Sequence, residues 1–558
     1  MAGTNTPILT RLSGGATEQA VAALARGDVP DALDKLAKAI AFEPRNAYAY
    51  ATRGQLHFDL GDHDRAIADL TSAIEVDPEN AAWPSFRSRF YWRMGNVTRA
   101  IADLDRVLEI DPDDTQAILE RGEMLRGLNK RDAAITAFTR ALTLDPGSDE
   151  AYFLRGCCWF QKARYDKAIA DFTECLRIAP SRVDAYVARG ETLARRAERQ
   201  NSKPTKKRLY SNLAIADLDH AISLAPHEPA AYKWRACVHR LAERFDDSIA
   251  DFTTALSLCS EAQTPDLYVD RAETYYTRWM QSRSEEDFDF AIADLSVAIA
   301  RDDDRCYWHN LLVGYYMNRG CSRHGSEHYQ GAIADYSKAI ELGGKADPLL
   351  VAQSFLRRGL SYFSTGLLDL AIADFTETLS REPGETEASR HRGRAWRAKG
   401  DLIRAIADFT AVIEQRPADL DAYRLRALAW FASGDRHAFT RDLSEGIIVA
   451  ERAPFETDRK RRDIAQAHIF MFTGRTDPAR QLYLKWRGEL RDEDVGYRAF
   501  MAPTWEETIL QEFHEFCEVG LHHPFMDEIA PILRERASRL SSTAPKSLLL
   551  TSRTVVRP

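Results

Sequence analysis

The side chains best suited to chemistry lie near the end of the sequence, where His514 and Cys517 are three residues apart and His522 and His523 follow. That spacing puts an imidazole and a thiol on one helix face, where soft ligands could hold zinc. The same pair could serve as base and nucleophile. Neither set is complete. There is no HExxH, no CxxC among the eight cysteines, and no strand pattern for a peptidase core. No GxxxxGK[ST] occurs, and no GxGxxG stands between a strand and a helix. A packed helix is the better reading, so no catalytic residue, metal or cofactor is expected, and the chain is read as not an enzyme. A metal- or cysteine-dependent activity in the C-terminal region is the rival.

Composition narrows the field further. The 558 residues carry a formal charge of −9, with 45% hydrophobic and 28% charged side chains. A dedicated nucleic-acid binder would show a basic excess, so no nucleic-acid partner is expected. No apolar run approaches the roughly 20 residues that span a bilayer, and no membrane partner is expected. Met1 to Gly15 shows no basic run leading into an apolar core, which predicts no signal peptide. Scattered, unpaired cysteines suit a reducing compartment, and the expected setting is cytoplasmic.

The elements that would position any site come from an internal repeat. A block A-I-A-D-[LF]-[TD]-x-A-[IL]-x-[LI]-x-P starts at Ala66, Ala100, Ala168, Ala214, Ala291, Ala332, Ala371 and Ala405, with weaker copies at Ala32, Ala134, Ser248 and Phe439. From Ala32 through Ala66, Ala100 and Ala134 to Ala168 the steps are equal. Upstream of each block an aromatic, an Arg-Gly or Arg-Ala pair and another aromatic fall at helical spacing, as in Tyr152, Arg155, Gly156 and Trp159. Apolar and small residues three or four apart place one buried stripe on each helix. Pairs such as Gly61-Asp62 and Gly400-Asp401 break the chain between helices, and prolines such as Pro44, Pro78 and Pro417 close the second.

At these residues the chain resembles the tetratricopeptide-repeat family, whose period is about 34 residues. Repeats are predicted at 13–46, 47–80, 81–114, 115–148, 149–182, 183–228, 229–262, 265–305, 307–346, 352–385, 386–419 and 420–453. The resemblance implies an all-α fold, a right-handed superhelical solenoid of antiparallel helix pairs with a helical C-terminal cap. It divides the chain into a tail at 1–12, twelve repeats at 13–453, a degenerate repeat and capping helices at 454–540, and a disordered tail at 541–558. The tail segment from Trp505 to Ile529 is also similar to tails that follow repeat arrays in some bacterial proteins.

One position departs from the family pattern. The seventh residue of the first helix, normally apolar, is Arg53, Arg87, Arg121, Arg155, Arg189, Arg235, Arg271, Arg358, Arg392 or Arg426. The second helix answers with Asp69, Asp103, Asp171, Asp217, Asp251, Asp294, Asp335, Asp374, Asp408 and Asp442. Joint presence in most repeats, and joint absence in the first, predict structural ion pairs such as Arg53–Asp69, Arg155–Asp171 and Arg392–Asp408 rather than a ligand ladder.

Three repeats are long. The stretches from Gly190 to Ala214, from Ala272 to Ala291 and from Gly314 to Ala332 all exceed the corresponding stretch from Gly54 to Ala66. The extra residues are expected as loops on one edge, either a binding edge with Lys203, Lys206, Lys207 and Arg208 as candidates, or idle drift.

In the family the first helices line the concave surface. Carried onto this sequence, its ligand positions hold Arg89, Trp92, Arg93, Glu123 and Arg126, then Lys233, Arg240, Tyr276, Trp308 and Tyr315, then Arg390, Arg394 and Arg397. The family's Lys/Asn clamp for a C-terminal carboxylate is not found there. The expected function is a protein-binding scaffold or adaptor within a hetero-complex, recognising protein or peptide segments, acidic ones included, through groove and inserted edge. A regulatory subunit that masks or recruits an effector enzyme, such as a peptidase, is the second reading.

Overall fold

The computed structural model describes residues 15–543, apart from 201–202, 261–263, 283, 453–462, 465, 469, 472–473, 486–504 and 519. The expected tail at 1–12 and most of 541–558 lie outside the described residues. At 541–543 the chain is the end of helix Pro524–Thr543, not a disordered tail.

Twelve antiparallel helix pairs follow one another, from Gly15–Ala25 with Val29–Phe42 to Leu420–Ala432 with Arg436–Arg452. Helices Thr476–Tyr483, Trp505–Glu518 and Pro524–Thr543 come after them. No strand occurs among the described residues, so the chain is an all-α solenoid of paired helices.

Local chemistry explains the boundaries. Asn46, Asp62, Asn96, Asp114 and Asp401 accept the backbone N–H three residues on, capping the helices they precede. Gly61 and Gly400 turn the chain with φ of +82° and +83°, which a side chain would resist. Inside each pair the alanines of the second helix are fully buried, Ala66, Ala100, Ala168 and Ala405 among them. Small residues of the first helix admit a large neighbour: a Cβ on Gly156 would lie 2.7 Å from the Phe172 ring.

The structure forms two compact units, residues 1–274 and 275–558, with the boundary inside helix Pro265–Ser282. In the second unit Ile464, Met471, Tyr483, Phe513, Phe516, Phe525 and Ile529 share one core with Leu428 of the twelfth repeat. The tail helices therefore close that end of the stack against an apolar surface.

The long repeats differ from the expected loops. In the sixth, helices Val183–Glu198 and Pro204–Leu224 run on to 16 and 21 residues, absorbing nearly the whole insertion. Pro204 suits the first turn of a helix, and the residues around it keep helical spacing. Lys203 is the N-cap, and Lys206, Lys207 and Arg208 ride on the helix, so none of the four belongs to a long loop. In the ninth repeat the predicted register fails. Gly320, not Gly314, meets the second helix, with its Cβ position 2.7 Å from the Tyr336 ring, whereas Gly314 has nothing within 4 Å. Gly320 precedes Ala332 by the same interval as Gly54 precedes Ala66, so the extra turns lie at the start of helix Cys306–Gly325.

Candidate functional site

The arginine of the first helix organises each repeat. Bidentate Arg–Asp pairs through Nε and Nη2 at 2.7–2.9 Å include Arg53–Asp69, Arg87–Asp103, Arg155–Asp171, Arg189–Asp217, Arg235–Asp251, Arg358–Asp374, Arg392–Asp408 and Arg426–Asp442. The aspartates are buried, and the planar fork satisfies both carboxylate oxygens. These bonds to aspartate raise the pKa of Arg53, Arg87, Arg155 and Arg358.

The remaining Nη1 of the same arginine reaches back to the previous repeat. It donates to Thr71 from Arg87 at 2.8 Å, to Thr139 from Arg155, to Thr173 from Arg189, to Ser337 from Arg358, to Thr376 from Arg392 and to Thr410 from Arg426. Arg235 uses Asp219 instead. Arg121 has Ala137 where its own aspartate would stand, and bonds Asp105 of the previous repeat at 2.6 Å. Each of these arginines thus reaches the repeat before its own. The Thr/Asp position of the sequence block was the signal for this acceptor, and sequence reasoning passed over it.

In the ninth repeat the pair lies away from the predicted register, whereas in the eighth Arg271 donates its Nη1 to Thr253 of the previous repeat at 2.9 Å, as the other ladder arginines do. Arg278, seven residues after Arg271, takes the buried Asp287 at 2.6 Å, so part of the stretch expected as a loop is an internal ion pair. Arg319, not a residue near Gly314, is the ninth arginine and bonds Asp335.

The candidate face residues divide by environment. Arg89, Trp92, Arg93, Glu120, Glu123 and Met124 line an open pocket of about 290 Å³. Within it Arg89 pairs with Glu120 at 3.0 Å, and Glu123 stands 3.6 Å from Arg126 of its own helix. Lys233 faces Asp270 at 3.5 Å, and Arg240 holds Glu273 at 2.5 Å. Burial works against the Arg240 charge, yet Glu273 keeps its pKa raised.

The register correction removes two candidates from the exposed face. Trp308 and Tyr315 are buried, 3% and 4% exposed: Trp308 lies on the extra turns of helix Cys306–Gly325, and Tyr315, before Arg319, takes the core place that Ala49 holds before Arg53. Tyr276 stacks on Tyr315 at 4.7 Å and accepts from Asn318, so it too is engaged. Counting from Arg319, the face positions of the ninth repeat hold Met317, Cys321 and His324, which sequence reasoning missed.

Helix Thr386–Ala398 carries Arg390, Arg394 and Arg397, all half-buried. Arg390 bonds Asp419 at 2.7 Å, and Arg394 lies over the Phe363 ring. His391, between them, is pushed down to about 3 by burial, with Arg394 adding to the shift. On the sixth repeat's edge Lys206 and Arg208 are exposed. In the tail, His514 and Cys517 are exposed, while His522 faces Asp527 at 3.1 Å. Among the described residues no three His, Cys, Asp or Glu are placed to hold a metal ion, and no helix is long and apolar enough to cross a membrane.

A family profile described as tetratricopeptide repeat matches residues 17–70, 51–115, 119–183 and 356–407. Similar solved structures include a thermophilic repeat protein of Thermus thermophilus, 22% identical over 36% of this chain and 98% of that one, with a TM-score of 0.31. A repeat protein of Parabacteroides merdae is 18% identical over 46% of this chain and 97% of its own, with a TM-score of 0.34. YrrB, described as having an unusual peptide-binding site, is 19% identical over 36% and 93%, with a TM-score of 0.28. No curated protein matches the chain.

Proposed function

Since the chain is a tetratricopeptide-repeat protein, we propose that it is a non-catalytic scaffold that holds a segment of another protein on the first-helix face of its second unit. The observation that carries this reading is the like-charged set Arg390, Arg394 and Arg397 on one helix, half-buried rather than spread into solvent. Arginine lying over an aromatic ring, as Arg394 lies over Phe363, is the chemistry that dominates protein interfaces. The sign of the charge favours an acidic segment, bound with an affinity that falls as salt screens it. The Lys203, Lys206, Lys207 and Arg208 edge is a separate contact of the same sign in the other unit.

The test compares proteins captured by the intact chain with those captured by Arg390→Ala/Arg394→Ala/Arg397→Ala. The triple variant should keep its helicity and lose a defined set of partners. Equal capture by both proteins would remove the face from the function. A regulatory subunit that docks on an effector enzyme in a cytoplasmic hetero-complex uses the same face, and the captured proteins distinguish it from a plain adaptor.

A further inference from the structure

In two repeats the residue one place before the ladder arginine is an acid that meets a cation of the preceding first helix. Glu120 sits there in the fourth repeat and accepts Arg89 from the preceding first helix at 3.0 Å. Asp270 sits there in the eighth and faces Lys233 at 3.5 Å. In the tenth repeat the same position, on helix Pro348–Ser364, is Arg357. The preceding first helix offers it Cys321 and Met317 at the places of Arg89 and Lys233, and neither can balance a guanidinium. Among the described residues Arg357 has no ion pair, and its side chain makes no hydrogen bond.

Two imidazoles of the adjoining first helices stand near it, and the Glu387 carboxylate lies 4.0 Å from one of them, His391. His324, on the preceding first helix, has its Nδ1 2.8 Å from the Ser361 hydroxyl. His391 takes the place of Arg357 in the next repeat. Burial chiefly, and the Arg357 charge in part, hold both imidazoles below their usual range. A half-buried cation between two such histidines, with Glu387 beside His391 and in no ion pair with Arg357, lacks a carboxylate of its own.

Farther along the same unit, such a charge is met from within the chain. Arg424 of the twelfth repeat has its Nε 3.3 Å from Oε1 of Glu512, which helix Trp505–Glu518 presents beside Phe513 and Phe516. At that place the face accepts a glutamate carried by a packed helix.

We propose that Arg357 anchors an aspartate or glutamate carboxylate presented by a helical segment of a partner protein, docked as helix Trp505–Glu518 docks on Arg424. This rests on the reading that the face holds protein segments. The probe is a fluorescein-labelled peptide with the sequence 505–518, titrated with the full chain and followed by anisotropy.

Binding should be saturable, should weaken at least tenfold with Arg357→Ala, and should weaken likewise when the peptide carries Glu512→Gln. Arg357→Lys should recover part of the affinity, and melting should not move, since Arg357 supports no internal bond. Unchanged binding by Arg357→Ala overturns the proposal. So does dependence on Arg424 alone, which would mean that the peptide had displaced its own copy. So would a phosphorylated serine peptide that needs Arg357 while the carboxylate peptide does not bind. If the triple arginine variant loses its captured partners and Arg357→Ala keeps them, the scaffold reading stands and only this inference falls.

Discussion

Along residues 1–274 three cations of the first-helix face meet acids from a neighbouring first helix: Arg89 with Glu120, Lys233 with Asp270, Arg240 with Glu273. Along residues 275–558 the face carries Arg357, Arg390, Arg394 and Arg397, and the acids that reach it include Asp419 from a helix cap and Glu512 from the tail. The Arg–Asp ladder beneath is the same in both units. Packing therefore fixes the seventh position of the helix and leaves the face to change sign, so the two units share a scaffold and differ in what they would attract.

The largest effect should come from breaking the shared part. Arg155→Leu in the first unit and Arg358→Leu in the second each leave a buried aspartate unpaired, at a cost of about 3–5 kcal/mol. Each should also loosen the joint to the previous repeat, because Thr139 and Ser337 lose their donors. Native-state hydrogen exchange would show the loss confined to neighbouring repeats. Arg155→Leu with Asp171→Leu should recover most of it. If the double variant is no better than the sum of the singles, or if only one unit responds, the ladder is not a common scaffold.

A smaller effect sharpens the description of the second unit. Gly320→Ala would press a methyl against Tyr336 and should cost about 1–3 kcal/mol, whereas Gly314→Ala meets empty space. In a helix interior that second change should stabilise by up to about 1 kcal/mol. Thermal melting of the two variants reads the register directly, and the reverse order would restore Gly314 as the packed residue.

These positions show where the sequence was legible. Alanine, proline and aromatic spacing marked twelve helix pairs because each element repeats the same contacts at a near-constant interval. The ion pairs were legible because Arg and Asp come and go together from repeat to repeat within one chain. The ninth register was not, since Gly314 and Gly320 both stand on one lengthened helix, and only packing against Tyr336 separates them. The insertions were misplaced for a related reason: a longer helix and a longer loop add the same number of residues. The lack of a partner for Arg357 was invisible because it depends on what the neighbouring helix lacks.

The smallest effect is a pH response that should separate the units. His391, 18% exposed, has a folded pKa pushed to about 3 by burial, against about 6.5 when unfolded. Below 6.5 the unfolded chain takes up a proton that the folded chain refuses, so stability falls as pH drops from 6.5 toward 3. His324 in the same unit shifts in the same direction through burial. The first unit has His239, also lowered by burial, with Asp251 3.7 Å away to offset it, as Glu387 at 4.0 Å offsets part of the shift of His391. Histidine is the side chain whose ordinary pKa falls in this range, so the imidazoles set the difference. Between pH 7 and about 5.7, His391→Gln should remove about 1 kcal/mol of the acid sensitivity in the second unit. It should leave exchange rates in residues 1–274 unaltered. Equal acid sensitivity in wild type and variant would mean that His391 protonates in place, and that the cations around it do not exclude a further charge.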